Sequence, residues 1–475
     1  ESMKKTFYLS LLLGCLCMVG CKDDSTDSGQ PYDPNRPATF TDFTPTEGAV
    51  RTRMYIKGSN FGTDESKIHV NIGGKRAKVI GTDGNTIYCM VPSRAYSGEV
   101  VVMMEGEKGD TAQTYTFDQK FTYNTRTVVG TLLRKVDENN ESGFSDGSFD
   151  GEASVPSNDW LVFDPKPQNG GDKLLFSSNY YDGLRVLNIT QRTVTRLFPR
   201  SQYKSMHSFT FSVDGDTLFF PDDNGQATSS QLANIYYALR SENFRKIRPY
   251  NYAPCSYAMV CMPDGYKFYC CWKNAAVYRM GDNSGGIPHV DNDRVLCFKL
   301  DQLVATGGEQ TVMILHPSGK YMYMFSKKRG AILRSNYNPT THMFEGLTII
   351  AGSLTQRGAQ EGIGSTARFH TTWAGVFVKN REYVNNPRPD GELYDFYFTD
   401  SGNHCIWKLT PDGVASIAVG RSNYTADHQY SGYVDGDPLK EARLHRPCGL
   451  AYDPSDEIWY IGDNNNRGIR YVATE

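Results

Sequence analysis

The sequence predicts an all-β protein in two parts, a small β-sandwich followed by a longer array of repeated β-units. Three observations carry this. The composition is rich in turn formers and aromatics, with 45 Gly, 22 Pro, 30 Tyr and 24 Phe among 475 residues, a mixture suited to short strands joined by tight turns. No helix-period stretch of useful length stands out. From Thr125 onward the chain repeats itself, which constrains the architecture more than any single strand does.

The elements follow in chain order. Lys4-Lys5 precedes an apolar run from Phe7 to Gly20, then Cys21-Lys22-Asp23-Asp24. A basic start, a short apolar stretch and small residues before a cut site read as a signal peptide over residues 1–20. The run is short of the about 20 apolar residues that span a bilayer. Cys21 directly after the cut resembles a bacterial lipobox, and Lys-Asp-Asp after it resembles the surface-export signal of lipoproteins in bacteria with Sus-like glycan-uptake systems. That resemblance implies diacylation of Cys21, an outer-membrane location facing the exterior, and membrane contact through the acyl chains alone; two or three chains make a stable anchor. Residues 21–37 offer no apolar face and are expected to form a lipidated flexible spacer.

Residues 38–124 show short alternating strands: Arg53–Lys57, Lys67–Ile72, Lys75–Ile80, Thr86–Val91, Glu99–Met104 and Lys120–Tyr123. Gly73-Gly74 between two alternating runs is a hairpin signal. Strands this short and this many predict a small sandwich. Phe43-Thr44-Pro45-Thr46-Glu47-Gly48, then Gly58-Ser59-Asn60-Phe61-Gly62, then Val91-Pro92-Ser93 with Gly98, resemble the IPT/TIG family of immunoglobulin-like domains. Such domains are mostly spacers and contact modules.

Residues 125–475 repeat. The last unit has Ala442-Arg443-Leu444-His445 and Ile458-Trp459-Tyr460-Ile461-Gly462-Asp463-Asn464-Asn465-Asn466-Arg467; the unit before it has Ala367-Arg368-Phe369-His370 and Thr399-Asp400-Ser401-Gly402-Asn403. Weaker copies place inner strands at Trp160–Asp164, Phe209–Val213, Tyr257–Met262 and Val312–His316. These motifs resemble NHL repeats, and six of them imply a six-bladed β-propeller. Thr127-Val128-Val129-Gly130 resembles the outer strands of other units, while the final unit stops after its third strand. The first strand of this region is therefore expected to complete the last blade and remove an open sheet edge.

A net charge of −3 speaks against a nucleic-acid partner. Of 11 cysteines, Cys15, Cys17 and Cys21 lie in the signal region. The other eight contain no CxxC pair and read mainly as buried thiols. A Cys255–Cys297 bridge, or one involving Cys270 and Cys271, remains open.

One propeller face should collect the loops entering the inner strands and the turns between second and third strands. On it fall Trp160, Tyr180, Tyr181, Trp272, Lys328, Arg329, Trp373, His404, Arg446 and Arg467. Flat rings stack on sugar faces, while amides, carboxylates and guanidinium groups meet hydroxyls, so these are the candidate ligand-binding residues. Asp400–Asn403 and Asp463–Asn466 read first as turn chemistry. His207, His370 and His445 hold equivalent positions and are weak metal candidates, more simply read as channel-lining residues. No catalytic motif occurs, so no catalytic residue and no cofactor is nominated. The resemblances imply a surface lipoprotein that binds a glycan, with a glycan or an outer-membrane transporter complex as partner. A polysaccharide lyase or hydrolase at the channel mouth and a protein-assembly module are the alternatives.

Overall fold

The computed structural model describes residues 27–475 other than 94, 107, 108, 110, 167–170, 181, 224–233, 254, 274, 282–293, 301–307 and 421–429. The chain divides into two compact units, with the boundary between Thr125 and Arg126. Among the described residues no helix is long and apolar enough to cross a membrane.

The first unit is a curled seven-stranded sheet. Its strand order is Thr39–Thr44, Arg53–Ser59, Thr86–Met90, Lys75–Thr82, Ile68–Ile72, Val100–Glu105 and Thr111–Thr116. A short parallel pair joins Glu47–Gly48 to Thr122–Tyr123. Alternation decides which face is buried: Arg53–Ser59 turns Met54 and Ile56 inward and Arg53, Tyr55 and Lys57 outward. Gly73 and Gly74 both adopt positive φ, 53° and 78°, and close the expected hairpin with Ile72 opposite Lys75. Thr39–Thr44 and Thr111–Thr116 escaped the sequence pattern because they are Thr-rich edge strands; of the first, only Phe43 is buried.

Residues 27–37 correct the expectation of a free spacer. The Asp27 carboxylate, 5% exposed, accepts hydrogen bonds from Arg36 at 2.5 Å and from the Asn60 backbone N–H at 3.0 Å. Asn60, at φ 60°, accepts from the Asp33 N–H at 2.8 Å and donates to the Arg36 carbonyl at 2.5 Å. The Asn of the Gly-x-Asn-Phe-Gly element thus clasps the preceding segment to the sandwich.

The second unit holds six antiparallel sheets, one per blade. Their inner strands are Trp160–Phe163, Thr210–Phe211, Ser256–Cys261, Thr311–Leu315, Thr372–Lys379 and Pro447–Asp453, in blades 1 to 6. Thr127–Arg134 pairs with Gly468–Thr474, from Thr127 opposite Thr474 to Arg134 opposite Gly468. The ring is closed by its own first strand, as the repeat pattern predicts. Aromatic packing fills the spaces between blades: Tyr323 of blade 4 meets Phe396 of blade 5 edge-on at 5.0 Å.

Candidate functional site

The upper face, where inner strands begin, is built by a recurring device. The side chain ending each second strand reaches the incoming loop of its own blade. Asp222 accepts from the Ser205 N–H at 2.6 Å, Asp400 from those of His370 and Thr371 at 2.8 Å, and Asp463 from that of His445 at 2.7 Å. Asn179 donates to Ser157 Oγ at 2.8 Å, and Ser326 to Glu309 Oε2 at 3.0 Å. These residues fix backbone geometry, as the turn reading of Asp400–Asn403 and Asp463–Asn466 expects.

The aromatic candidates are absorbed by the same framework. Trp160 is 6% exposed and donates Nε1–H to the Phe209 carbonyl at 3.0 Å. Tyr180 lies between the Arg200 guanidinium at 4.6 Å and the His207 ring at 5.4 Å. Trp373 donates Nε1–H to the Asp159 carbonyl at 2.9 Å, and the Lys327 ammonium lies 3.9 Å from its ring centre. Trp272 is half-buried, with its ring so close to Gly308 that a Cβ there would approach it to 2.7 Å. Tyr181 lies outside the described residues. Trp160 is thus core, while Tyr180 and Trp373 are partly exposed and each carries a cation against its ring.

The cations are partly engaged as well. Arg329 pairs with Glu309 at 2.8 Å, Arg467 faces Glu141 at 3.7 Å, and His404 Nδ1 accepts from the Arg446 N–H at 3.0 Å. Lys328 and the Arg446 side chain are exposed. His207 faces Asp223 at 3.4 Å and burial lowers its pKa; His370 contacts Thr371 Oγ1 at 2.8 Å, and His445 packs 5.3 Å from His404. The three imidazoles have separate partners, and among the described residues no three His, Cys, Asp or Glu side chains converge in a metal-holding group.

Sequence reasoning passed over Lys327. It is 3% exposed, its ammonium sits 5.2 Å from the Tyr257 ring centre and 3.9 Å from that of Trp373, and burial lowers its pKa to about 8. The signal was its place directly after the apolar strand Tyr321–Ser326, where the chain is still inside the ring.

Below this layer runs a channel cavity of about 420 Å³, walled by all six inner strands. Consecutive residues such as Leu161, Val162 and Phe163 line it because inner strands present their unpaired backbone edge to the axis. On the lower face, Phe163, Val376, Phe377 and Tyr452 also wall a larger groove of about 850 Å³.

The groove owes its shape to one long connection. In blade 5 the first and second strands, Thr372–Lys379 and Tyr394–Asp400, are joined through the helix Arg381–Asn385. Asn380 caps that helix by accepting from the Glu382 N–H at 2.9 Å and donates to Asp395 at 2.8 Å; Tyr383 Oη donates to Asp395 at 2.8 Å. Arg388 then fastens the return to Asp390 at 2.9 Å and Asp412 at 2.7 Å. The wall is therefore pre-formed. Into the groove come the rings of Phe377, Tyr394 and Tyr452, half-exposed Val384, and the polar groups of Lys379, Arg381, Asn385, Ser455 and Glu457. Its buried carboxylates are already matched, Asp164 by Arg240 at 2.6 Å and Asp453 by Lys173 at 3.0 Å. Arg381 and Glu457 pair at 2.8 Å in solvent. Rings beside amide, hydroxyl and charged groups on a rigid concave wall suit a ligand with apolar faces and many hydroxyls.

The IPT/TIG domain family matches residues 38–123. No curated protein matches the chain. Among solved structures, an auxiliary nutrient binding protein from Bacteroides thetaiotaomicron is 30% identical, covering 94% of this chain and 99% of its own, with a TM-score of 0.67. One of the same description from Bacteroides ovatus is 29% identical over 94% and 100%, with a TM-score of 0.74. A third, from Bacteroides thetaiotaomicron and provisionally named a phosphatase, is 28% identical over 94% and 98%, with a TM-score of 0.66. With identity at this level along nearly both whole chains, the protein belongs to the same family as the auxiliary nutrient binding protein of Bacteroides thetaiotaomicron.

Proposed function

We propose that this is a lipid-anchored outer-membrane protein that captures a nutrient, a glycan, in the lower-face groove of its propeller without making or breaking a bond. The observation that carries the reading is its kinship, along almost the whole chain, with an auxiliary nutrient binding protein. The groove supplies a place: partly exposed Tyr452 and Tyr394 offer rings for sugar faces, and Lys379, Arg381, Asn385 and Ser455 offer partners for hydroxyls. The Lys4–Asp24 pattern supports acylation at Cys21, which lies outside the described residues, and outward display beside a Sus-like transporter.

The test is affinity electrophoresis and calorimetry of residues 27–475 with a panel of plant, host and microbial polysaccharides, with a parallel assay for released sugars and phosphate. Retention by one polysaccharide with no product supports capture. Released oligosaccharide or phosphate makes the protein an enzyme, and retention by none overturns the glycan reading.

A further inference from the structure

Blade 3 breaks the pattern of the upper face. In the other five blades the side chain at the end of the second strand holds the incoming loop by hydrogen bonds: Asn179, Asp222, Ser326, Asp400 and Asp463. The corresponding residue of blade 3 is Cys271, last of the strand Lys267–Cys271, and the loop residue it meets is Cys255. Both are buried, at 8% and 5% exposure. The Trp272 N–H donates to the Cys255 carbonyl at 3.0 Å, locking the two segments side by side, and the two thiols are close enough to interact. Ser256 lies opposite Cys271 in the ladder.

From this juxtaposition we infer that Cys255 and Cys271 form a disulfide, a covalent counterpart of the hydrogen-bonded clasp of the other blades. The chemistry is balanced by a disulfide donor. The Cys255 thiolate attacks one donor sulfur and expels the other as a thiolate. Cys271, losing its proton, then attacks the Cys255 sulfur of the mixed disulfide and expels the second donor thiolate. One S–S bond forms in the protein, one breaks in the donor, and two electrons pass to the donor, which leaves as two thiols. Cys255 is suited to the first attack: the hydrogen bond from Cys271, aided by Lys273, brings its pKa down to about 6. Burial pushes the thiols of Cys89, Cys261 and Cys270 up to about 12, so these stay inert. An exported chain meets the oxidising surroundings in which such bonds persist.

The bond would bear on its neighbours. Trp272 follows Cys271 directly. Tyr257, two residues after Cys255, stacks on His207 at 4.4 Å and faces Lys327. The bridge would therefore fix the blade 3 sector of the aromatic layer closing the channel.

The experiment is peptide mapping of residues 27–475, purified without reductant, equilibrated with oxidised glutathione and alkylated before tryptic digestion. The expected result is peptide 247–267 linked to peptide 268–273, with the link persisting in Cys261→Ser and Cys270→Ser and absent from Cys271→Ser. Full alkylation of both Cys255 and Cys271 in the wild-type protein would overturn the proposal. So would a link that survives Cys271→Ser, or Cys255 joined to Cys297 instead. Fragmentation of the linked wild-type peptides gives the same answer if a variant folds poorly: alkyl groups found on Cys261 and Cys270 support the bridge, and alkyl groups on Cys255 or Cys271 overturn it.

Discussion

Lys327 carries an ammonium group into the ring where two aromatic faces receive it and, among the described residues, no carboxylate lies within ion-pair distance. A lysine whose pKa falls to about 8 on folding, from an ordinary 10.5, costs stability at neutral pH on the order of 3 kcal/mol. The sign follows from linkage. Between these two values the unfolded chain binds more protons than the folded one, so stability rises with pH over that window. The melting temperature is therefore expected to rise between pH 8 and 9.5. Lys327→Met isolates the lysine: it should raise the melting temperature at pH 7 and flatten the climb above pH 8. A variant less stable than wild type would mean that the cation–π contacts outweigh desolvation. Arg470 is the contrasting case, a buried cation with two carboxylates, Asp463 at 3.0 Å and Asp435. Arg470→Met should lose about 3–5 kcal/mol in urea unfolding, because it strands Asp463 in the core.

At the scale of elements, closure of the ring rests on the strand Thr127–Arg134. Gly130 makes room there: a Cβ would come within 2.3 Å of the Tyr471 ring on the partner strand, which would have to move aside. Gly130→Val should cost about 1–3 kcal/mol by overpacking, read as a lower urea midpoint. This closure was legible in the sequence, since Thr127-Val128-Val129-Gly130 resembles the outer strands of other units and the final unit stops after its third strand. The six inner strands were legible for the same reason: repetition reports architecture even where individual copies are weak. The groove was not. Its walls come from turns at the opposite ends of the strands, and the visible signal, the long Asn380–Leu393 connection of blade 5, carries no motif. Burial of Trp160 was not legible either, because a ring at the start of an inner strand looks exposed until its tertiary contacts are known. Replacing residues 380–392 by a short turn should leave the fold melting cooperatively while removing ligand retention.

At the scale of the molecule, two compact units divide the work between a sandwich and a propeller. All residues of the proposed groove lie in the second unit. Residues 126–475 expressed alone should therefore retain the affinity of residues 27–475; loss of binding in a folded propeller would require the sandwich to contribute. The central claim is that the ligand sits on the lower face. It is tested most directly by titrating the polysaccharide that the panel identifies into Tyr452→Ala and Arg381→Ala, beside the upper-face variants Lys328→Ala and Arg446→Ala. Weakening of at least tenfold in the first pair, with the second pair close to wild type and all four folded, is the predicted result. Binding lost in Lys328→Ala or Arg446→Ala and kept in Tyr452→Ala would contradict it and return the site to the upper face.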